Sequence, residues 1–273
     1  MTKATYKDGV YALSNEEYHG SAGLSRSALM TLTKTPYHFY KKHVAASESH
    51  EEPTPAMVLG ELAHTLSLEP HMYDERFVIA PKCDRRTKAG KMQYSEFLVA
   101  KGPTQVIKQE DYDQAKAMAD VVREDGLSMS LIKDARIESS IYFTHAQTGI
   151  QCKARPDIWL GSVIGDLKTT KDASHRSFQR SAWDYGYYLQ AGMMHEALTS
   201  LGVDMQKFII LAVEKAEPYA LATYIMDEEA IDYGRNQLQK LLEKYVRCLV
   251  AEEWDGYGVQ PLLLPAWAKF EEE

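Results

Sequence analysis

The sequence predicts an α/β (α+β) fold in which a central mixed β-sheet is flanked by helices, with a helical elaboration at the N-terminal end. Apolar residues recur at helical spacing through about the first 131 residues. Short segments rich in Ile, Val, Tyr, Phe and Trp follow between residues 137 and 168, and a helical pattern then alternates with two more such segments. Helices followed by a βββ-α-β-β-α order indicate a mixed sheet that is covered by helices.

The N-terminal elements are predicted from caps and spacing. Residues 24–44 fit two short helices, because Ser25 is a suitable N-cap and Pro36 a suitable first helical residue. Residues 56–68 carry apolar side chains at helical spacing and predict another helix.

The spacing of apolar residues changes in the middle of the chain. Residues 81–102 are basic and punctuated by glycine, which predicts a loop or lid with one helix, and residues 109–131 predict an amphipathic helix. Three strands are then predicted over 137–143, 150–159 and 163–168.

The last third predicts two long helices with strands between them. The first helix spans residues 174–201, where Gly186 and Gly192 weaken the pattern, and the second runs from the cap Asp227 to about residue 250. The intervening strands are 208–214 and 220–226.

A length of 273 residues and 45% hydrophobic composition are enough for one full core. We predict a single domain over residues 1–273. Its parts are a helical N-terminal region of about 24–131, a core of about 137–250 and a C-terminal tail of 251–273.

The composition also bears on compartment and cofactors. No apolar stretch approaches the roughly 20 residues that a membrane span needs, and the N-terminus is polar without a signal-like apolar region. Cys83, Cys152 and Cys248 are scattered and odd in number, which argues against a disulfide framework or an iron–sulfur cluster. We expect a cytoplasmic protein with no membrane partner.

Charge alone does not favour a nucleic-acid partner. The net charge of −8 counts mildly against one, because phosphate contacts need Lys and Arg. Basic residues nevertheless gather over residues 82–91 and 168–180. Either stretch is equally consistent with a solvated surface, so local clustering matters more than the total.

The most informative pattern is a pair of aspartates followed by a lysine. Pro156-Asp157, eight intervening residues and then Asp166-Leu167-Lys168 place Asp166 and Lys168 on one face of a strand. Aspartate oxygens are ligands that Mg²⁺ prefers, and an adjacent lysine can orient water or stabilise developing charge. The alternative is that the two aspartates are ordinary turn residues. However, a charged side chain beside an apolar strand is costly without a partner. The pattern predicts a metal-dependent nuclease.

Five short motifs follow one another in a characteristic order. They are Leu24-Ser25-Arg26-Ser27 with Pro36 after it, Gly60-Glu61-Leu62-Ala63-His64, Arg155-Pro156-Asp157, Gly165-Asp166-Leu167-Lys168-Thr169-Thr170 and Tyr187-Tyr188-Leu189-Gln190. Together they resemble the nuclease domain of RecE (exonuclease VIII), in the PD-(D/E)xK superfamily with the RecB nuclease domain and lambda exonuclease. The resemblance runs over about residues 24–267 and implies a restriction-endonuclease-like core.

The resemblance implies an activity and partners. Such relatives are Mg²⁺-dependent 5′-to-3′ exonucleases that degrade one strand of linear double-stranded DNA. They leave 3′ overhangs for a RecT-like single-strand annealing protein. They form rings, so a homotetramer is favoured here, with a trimer as the alternative, and Mn²⁺ is expected to substitute for Mg²⁺.

The resemblance also implies roles for particular residues. His64 fits either a core histidine or a ligand by pattern alone, and the family motif places it at the metal with Asp157, Asp166 and the backbone carbonyl of Leu167. Gln190 is expected near the metal water or the scissile phosphate. Many relatives carry a tyrosine four residues after this glutamine, whereas this chain has Met194, which leaves the role of that helix open.

Other residues are expected to contact DNA or support the site. By analogy with relatives Arg26 would grip a 5′ phosphate, although a solvent-exposed helix arginine fits equally. Arg85 and Arg86 would follow the DNA backbone, and Tyr187 would either contact DNA or pack. Glu138, which opens the first predicted strand, is a candidate further acid. Glu61, one helical turn before His64, is a candidate supporting residue.

Two other functions stay open at this point. One is a RecB-like nuclease that prefers single strands or cuts internally. The other is a degenerate nuclease fold that serves as a DNA-binding or assembly module without catalysis, which the intact Asp157, Asp166 and Lys168 argue against.

Overall fold

A mainly helical N-terminal part precedes five consecutive strands in the structure, a computed structural model that describes residues 3–45 and 53–265. The helices are α1 (Asn15–Gly20), α2 (Arg26–Lys34), α3 (Pro36–Phe39), α4 (Pro55–Leu68), α5 (Tyr73–Arg76), α6 (Lys88–Ala100), α7 (Gln109–Glu124), α8 (Gly126–Ile132), α9 (His175–Asp184), α10 (Tyr187–Ser200) and α11 (Glu228–Ala251). The strands are β1 (Gly9–Tyr11), β2 (Phe77–Ile79), β3 (Gln105–Ile107), β4 (Arg136–Ile137), β5 (Ser140–Thr144), β6 (Gln151–Ala154), β7 (Ile158–Leu160), β8 (Val163–Thr170), β9 (Lys207–Glu214) and β10 (Leu221–Met226).

A five-stranded mixed sheet lies at the centre, in the order β10-β9-β8-β7-β4. Strands β8 and β9 are parallel, with Asp166 opposite Ile210 and Lys168 opposite Ala212, while the other neighbours are antiparallel. A separate antiparallel sheet has the order β1-β5-β6, and β2 pairs with β3 in parallel.

The central sheet is buried on both faces, which explains why β9 is apolar from Phe208 to Val213. Successive side chains of a strand point to opposite faces. Phe208, Ile210 and Ala212 join one core with residues of α2, α9, α10 and α11. Ile209, Leu211 and Val213 join a second core with residues of α4, α7 and α8. The predicted mixed sheet flanked by helices is confirmed.

Three predicted helix starts are confirmed by their caps. The Ser25 side chain accepts a hydrogen bond from the backbone N–H of Ala28 and caps α2. Pro36 is the first residue of α3, and Asp227 caps α11.

Several predicted elements are divided in the structure. The helix predicted over 174–201 breaks at Gly186, whose φ of +68° lies in the left-handed region that favours glycine. The helix predicted over 109–131 breaks where the Asp125 side chain caps α8. The strand predicted over 150–159 breaks near Pro156, which cannot donate to a ladder.

The strand predicted over 137–143 is also divided, since Glu138 separates β4 from β5 with a φ of +51°. Left-handed backbone is uncommon for a residue with a side chain. This break turns the chain between the two sheets, so the carboxylate of Glu138 is positioned by the turn rather than by a strand.

The sequence analysis missed the elements before residue 24. Helix α1 begins with a capping box, in which Ser14 and Glu17 bond each other's backbone N–H groups. This Ser-x-x-Glu pattern is a readable signal that could have predicted α1. Strand β1 pairs with β5 and so ties the N-terminal segment to the antiparallel sheet.

Strands β2 and β3 and the short helix α5 were also missed, because three- or four-residue elements carry little periodicity. Helix α6 lies in the region predicted as a loop with one helix. The last part of the predicted C-terminal tail, residues 266–273, lies outside the described residues. Among the helices of the described ranges, none combines the length and apolarity that a bilayer crossing requires.

Helices α10 and α11 approach each other at two glycines. A Cβ added at Gly192 would overlap the backbone of Gly234, and one added at Gly234 would overlap the carbonyl oxygen of Tyr188. Both neighbours are backbone atoms of packed helices, so they cannot rotate away. Gly192, predicted as a weak point of a helix, is instead required by this crossing.

We expect Gly234→Ala to lower the free energy of unfolding by about 3 kcal/mol, because the methyl group must push two helices apart. Gly126→Ala is the matched control: Gly126 is also helical, but an added Cβ would meet nothing within 4 Å. Denaturant unfolding followed by circular dichroism measures both variants. Equal stability of the two variants would contradict the close approach.

Candidate active site

Strand β8 presents an aspartate and a lysine to one side of the central sheet. The carboxylate of Asp166 is 1% exposed and forms an ion pair with Lys168, with Nζ 2.5 Å from Oδ2. Gln190 of α10 donates a hydrogen bond from Nε2 to Asp166 Oδ1 over 2.6 Å. Asp166 and Lys168 therefore share a strand face, as their spacing predicted, and α10 supplies the third member of the group.

Asp157 is held at the edge of β8 where strand pairing stops. Strand β7 pairs with β8 only as far as Ile158 opposite Gly165. Beyond that point the backbone N–H of Leu167 donates to Asp157 Oδ2 over 2.8 Å. A buried N–H needs such a partner, so the missing strand neighbour is replaced by the carboxylate. Asp157 and Asp166 are brought together in this way.

Helix α4 brings His64 to the same place. Its Nε2 lies 3.1 Å from Asp157 Oδ2 and 3.5 Å from Glu138 Oε1. One turn earlier, Gly60 faces Thr169 of β8, where a Cβ would already be in contact with Thr169 Oγ1. Helix α4 therefore lies close over β8 at this point.

His64, Glu138 and Asp157 form a candidate metal site. One ligand atom from each lies within 4.8 Å of the other two. Glu138 reaches this site from its left-handed turn, where its backbone N–H also donates to the carbonyl of Asp157 over 3.2 Å. Strained backbone of this kind is frequent at functional sites.

The metal set implied by the resemblance differs from this group. The close set contains Glu138, which was only a candidate acid, and it does not contain Asp166, which is engaged by Lys168 and Gln190. Ligation by Asp166 and by the carbonyl of Leu167 stays a prediction. Glu61 lines the adjoining cavity.

The ionisable side chains of the site shift one another's pKa values strongly. Burial opposes protonation of His64, but the carboxylates of Asp157 and Glu138 outweigh it and raise its pKa to about 9. Burial acts against ionisation of Asp157 as well, yet His64 and Lys168 hold the pKa of Asp157 well below its usual range. Burial and the charge of Asp157 raise the pKa of Glu138 to about 7.

Burial and neighbouring charges also shift the pKa values of Asp166 and Lys168 in β8. Burial and the nearby Asp157 raise the pKa of Asp166 to about 6, in opposition to Lys168. Burial opposes the charge on Lys168, but Asp166 and Asp157 raise its pKa. Three acids share one buried region, and such clusters are characteristic of functional sites.

The donors fit a divalent cation. Two carboxylates and an imidazole within ligand distance of one another suit Mg²⁺ or Mn²⁺, and a cation would relieve the repulsion that raises the pKa of Glu138. The side-chain oxygen of Gln190 is also buried without a hydrogen-bond partner among the described residues. An acceptor left this way is costly and suits a water or substrate group in the site.

These residues open into a cavity of about 750 Å³. Its walls come from distant parts of the chain: α1 contributes Tyr18 and His19, α2 contributes Arg26, and α10 contributes Gln190 and Met194. Met194, which replaces the family tyrosine, is buried in this wall. The cavity is large enough for a nucleotide and is open to solvent.

The predicted DNA-contacting residues are not all at the cavity. Arg26 lines it and donates a hydrogen bond to the carbonyl of Tyr185 over 2.7 Å. Tyr187 is buried, with its ring 5.4 Å from Lys168 Nζ. Arg85 and Arg86 are exposed on the segment before α6, where they contact Tyr94 and Asp84 respectively, and they do not line the cavity.

The sequence analysis assigned no role to Arg155, although it quoted the Arg-Pro-Asp motif. The Arg155 guanidinium donates hydrogen bonds to Ser140 Oγ, Asn15 Oδ1 and the carbonyls of Leu13 and Ser14. It also lies 3.9 Å from Glu138 Oε2. Arg155 therefore fastens the N-terminal segment against the acidic site. Its position two residues before Asp157 was the available signal.

Residues 25–259 match the model of a protein family described as "PDDEXK-like domain of unknown function (DUF3799)". This chain belongs to that family. The match spans nearly the whole described structure, including His64, Glu138, Asp157, Asp166 and Lys168. It confirms, at the level of the superfamily, the resemblance to RecE-like PD-(D/E)xK nucleases.

Solved structures resemble this PDDEXK-like protein with little sequence identity. One, from Eubacterium rectale, bears a provisional exonuclease name; it is 15% identical, has a TM-score of 0.62, and the match covers 93% of this chain and 96% of that one. A phage-related exonuclease from Haemophilus somnus 129PT is also 15% identical over 70% of this chain and 94% of that one, with a TM-score of 0.32. The first likeness shows a shared fold. No curated protein matches the sequence.

We expect the affinity of this PDDEXK-like protein for Mn²⁺ to rise with pH between about pH 6 and about pH 9. A metal-bound imidazole must be neutral and a ligating carboxylate ionised, whereas without metal the raised pKa values favour the protonated forms of His64 and Glu138. Calorimetric titration in buffers of different ionisation enthalpy measures the affinity and the protons released. His64→Gln should release fewer protons than the parent protein. Affinity that is independent of pH would contradict this assignment.

Proposed function

We propose that this protein is a metal-dependent exodeoxyribonuclease that degrades one strand of linear double-stranded DNA in the 5′-to-3′ direction and leaves 3′ overhangs. The observation that carries the proposal is the convergence of Asp157, Asp166 and Lys168 along the part of β8 that β7 does not pair, beside the acidic group that includes His64 and Glu138. Membership of a PDDEXK-like family supports the nuclease chemistry.

The group of possible ligand side chains supports the proposed metal. His64, Glu138 and Asp157 would hold it, with Asp166 as a further ligand, and it would neutralise phosphate charge and acidify a bound water. Mg²⁺ is the proposed ion, and Mn²⁺ would suit the imidazole of His64.

The remaining residues would act on the phosphodiester and the water. Lys168 keeps its ammonium charged at neutral pH because two carboxylates raise its pKa. A charged lysine at this position would orient the attacking water and stabilise the negative charge that develops on the phosphate. Gln190 holds Asp166 through its amide nitrogen and leaves its oxygen free to accept from the water.

The polarity and the end preference rest on the resemblance to RecE and lambda exonuclease. Arg26 lines the cavity and would bind a 5′ phosphate there. The proposal extends to a RecT-like annealing partner, a ring of four or three copies, and a cytoplasmic location in a bacterium or its phage.

We expect Asp166→Ala to abolish cleavage, and Lys168→Ala to slow it by about 10²- to 10³-fold, the loss typical of one preorganised electrostatic group. Initial rates on a linear duplex with saturating Mg²⁺ measure both effects. Lys207→Ala is the matched control, because Lys207 is exposed at the start of β9, parallel to β8 but away from the acids. If Asp166→Ala cleaved DNA at the wild-type rate, the assignment of Asp166 to the active site would be wrong.

Digestion of end-labelled linear and circular duplex DNA with Mg²⁺ tests the proposed activity. We expect the linear duplex to lose label progressively from its 5′ ends, while the closed circle stays intact. Cutting of the circle would favour an endonuclease, and preference for single strands would favour a RecB-like activity. Absence of any Mg²⁺- or Mn²⁺-dependent cleavage would favour a degenerate fold.

A further inference from the structure

The turn between α9 and α10 carries an exposed tyrosine beside the candidate active site. The Tyr185 side chain is 62% exposed, while its backbone carbonyl accepts the hydrogen bond from Arg26. Arg26 lines the cavity, so this bond ties the turn to the cavity wall. Scattered exposed apolar residues are normal, but the backbone of Tyr185 is bonded to a residue of the cavity wall.

A column of aromatic rings leads from the active site to Tyr185. The buried ring of Tyr187 lies 5.4 Å from Lys168 Nζ, and the Tyr185 ring stacks on it at 6.1 Å between centroids and 28° between planes. Behind Tyr187 stand Phe178 and Tyr224, which stack on each other at 4.8 Å. Tyr185 is the outermost ring of this column.

The turn itself is held rigidly. Gly186 has a φ of +68°, and a Cβ there would overlap the sulfur of Met30 in α2. The backbone beneath Tyr185 is therefore packed against α2, and the Arg26 hydrogen bond adds a second attachment. A ring on such a support loses little further entropy when it stacks on a flat ligand.

We propose that Tyr185 stacks on a nucleobase of the strand whose phosphate enters the site at Lys168 and Asp166. This inference rests on the proposed nuclease function and names a residue that holds the substrate end. Every base has a π-face, so stacking on tyrosine tolerates any sequence. No base-edge hydrogen bond is required.

The position of Tyr185 favours a nucleobase, rather than another ligand, as the group that stacks on its ring. The column begins at the lysine proposed to meet the scissile phosphate, and Arg26 adds a second cation beside the turn. Phosphate attracted to these two cations brings its own base to within reach of an exposed ring. Trp183 is also exposed, but its ring contacts Tyr188 and Tyr233 and not this column.

Fluorescence of 2-aminopurine tests the proposal without cleavage. The label is placed at each of the first few positions of one strand of a short duplex, and binding is measured with Asp166→Asn protein so that the DNA stays intact. Stacking on an aromatic ring quenches this base. We expect quenching at one position near the end, its loss in Tyr185→Ala, and its retention in Tyr185→Phe.

Tyr257→Ala is the matched control, since Tyr257 is 65% exposed and its ring contacts His38 outside the cavity wall. We expect Tyr257→Ala to quench the 2-aminopurine fluorescence as much as the parent protein does. We expect Tyr185→Ala to weaken DNA binding about tenfold, the order expected for one lost base stack. Unchanged quenching in Tyr185→Ala overturns the inference. So does a change in oligomeric state without a change in quenching, which would assign Tyr185 to contact with a second copy.

The two proposals fail in different ways. If the wild-type protein cleaves linear DNA and Tyr185→Ala binds and quenches normally, only the stacking role is lost. If the wild-type protein neither cleaves nor binds DNA, the nuclease proposal fails and the stacking role fails with it.

Discussion

Two aspartates lie side by side, Asp166 buried and Asp157 half-buried, and each carries a charge that the surrounding structure must compensate. Asp157 is compensated by the imidazole of His64 and by the backbone N–H of Leu167, and Asp166 by the ammonium of Lys168 and the amide of Gln190. These partners come from α4, β8 and α10, on both sides of the central sheet. An uncompensated buried carboxylate would be protonated or exposed, so the two cores and the strand between them must be in place before the acids can coexist.

The opening of the site follows from where strand pairing ends. Strand β7 accompanies β8 for three residue pairs and then stops, which leaves the continuation of β8 without a neighbour on that side. Asp157 fills the first unpaired position, and the cavity occupies the space beyond it. The N-terminal segment then closes the far wall through Arg155, which binds α1 and approaches Glu138. A substrate would meet β8 along an edge that a longer β7 would have covered.

The distribution of charge reconciles an acidic protein with an anionic substrate. The acids of the site are concentrated at the proposed metal, where a cation would neutralise them, while Arg26, Lys153 and Arg155 line the surrounding cavity. Lys153 is buried, and burial lowers its pKa to about 8 although its ammonium donates to the carbonyls of Tyr18 and Ser21. Local arrangement, not the net charge of −8, decides what the cavity attracts.

The sequence by itself determined the mixed sheet, most helix starts and the pairing of Asp166 with Lys168, because these depend on period, caps and a spacing of two along one strand. The break at Glu138 was decided by the fold, because no glycine or proline marks it, whereas the breaks at Gly186 and Asp125 follow local signals, a left-handed glycine and a side-chain cap. The meeting of His64, Glu138 and Asp157 was likewise decided by the fold. These residues lie far apart in the chain, and ligand geometry depends on how α4, the turn at Glu138 and β8 pack in space. The spacing of residues in the sequence predicts which side chains share one face of a helix or strand. Only the three-dimensional packing determines which helices and strands bring their side chains to the same site.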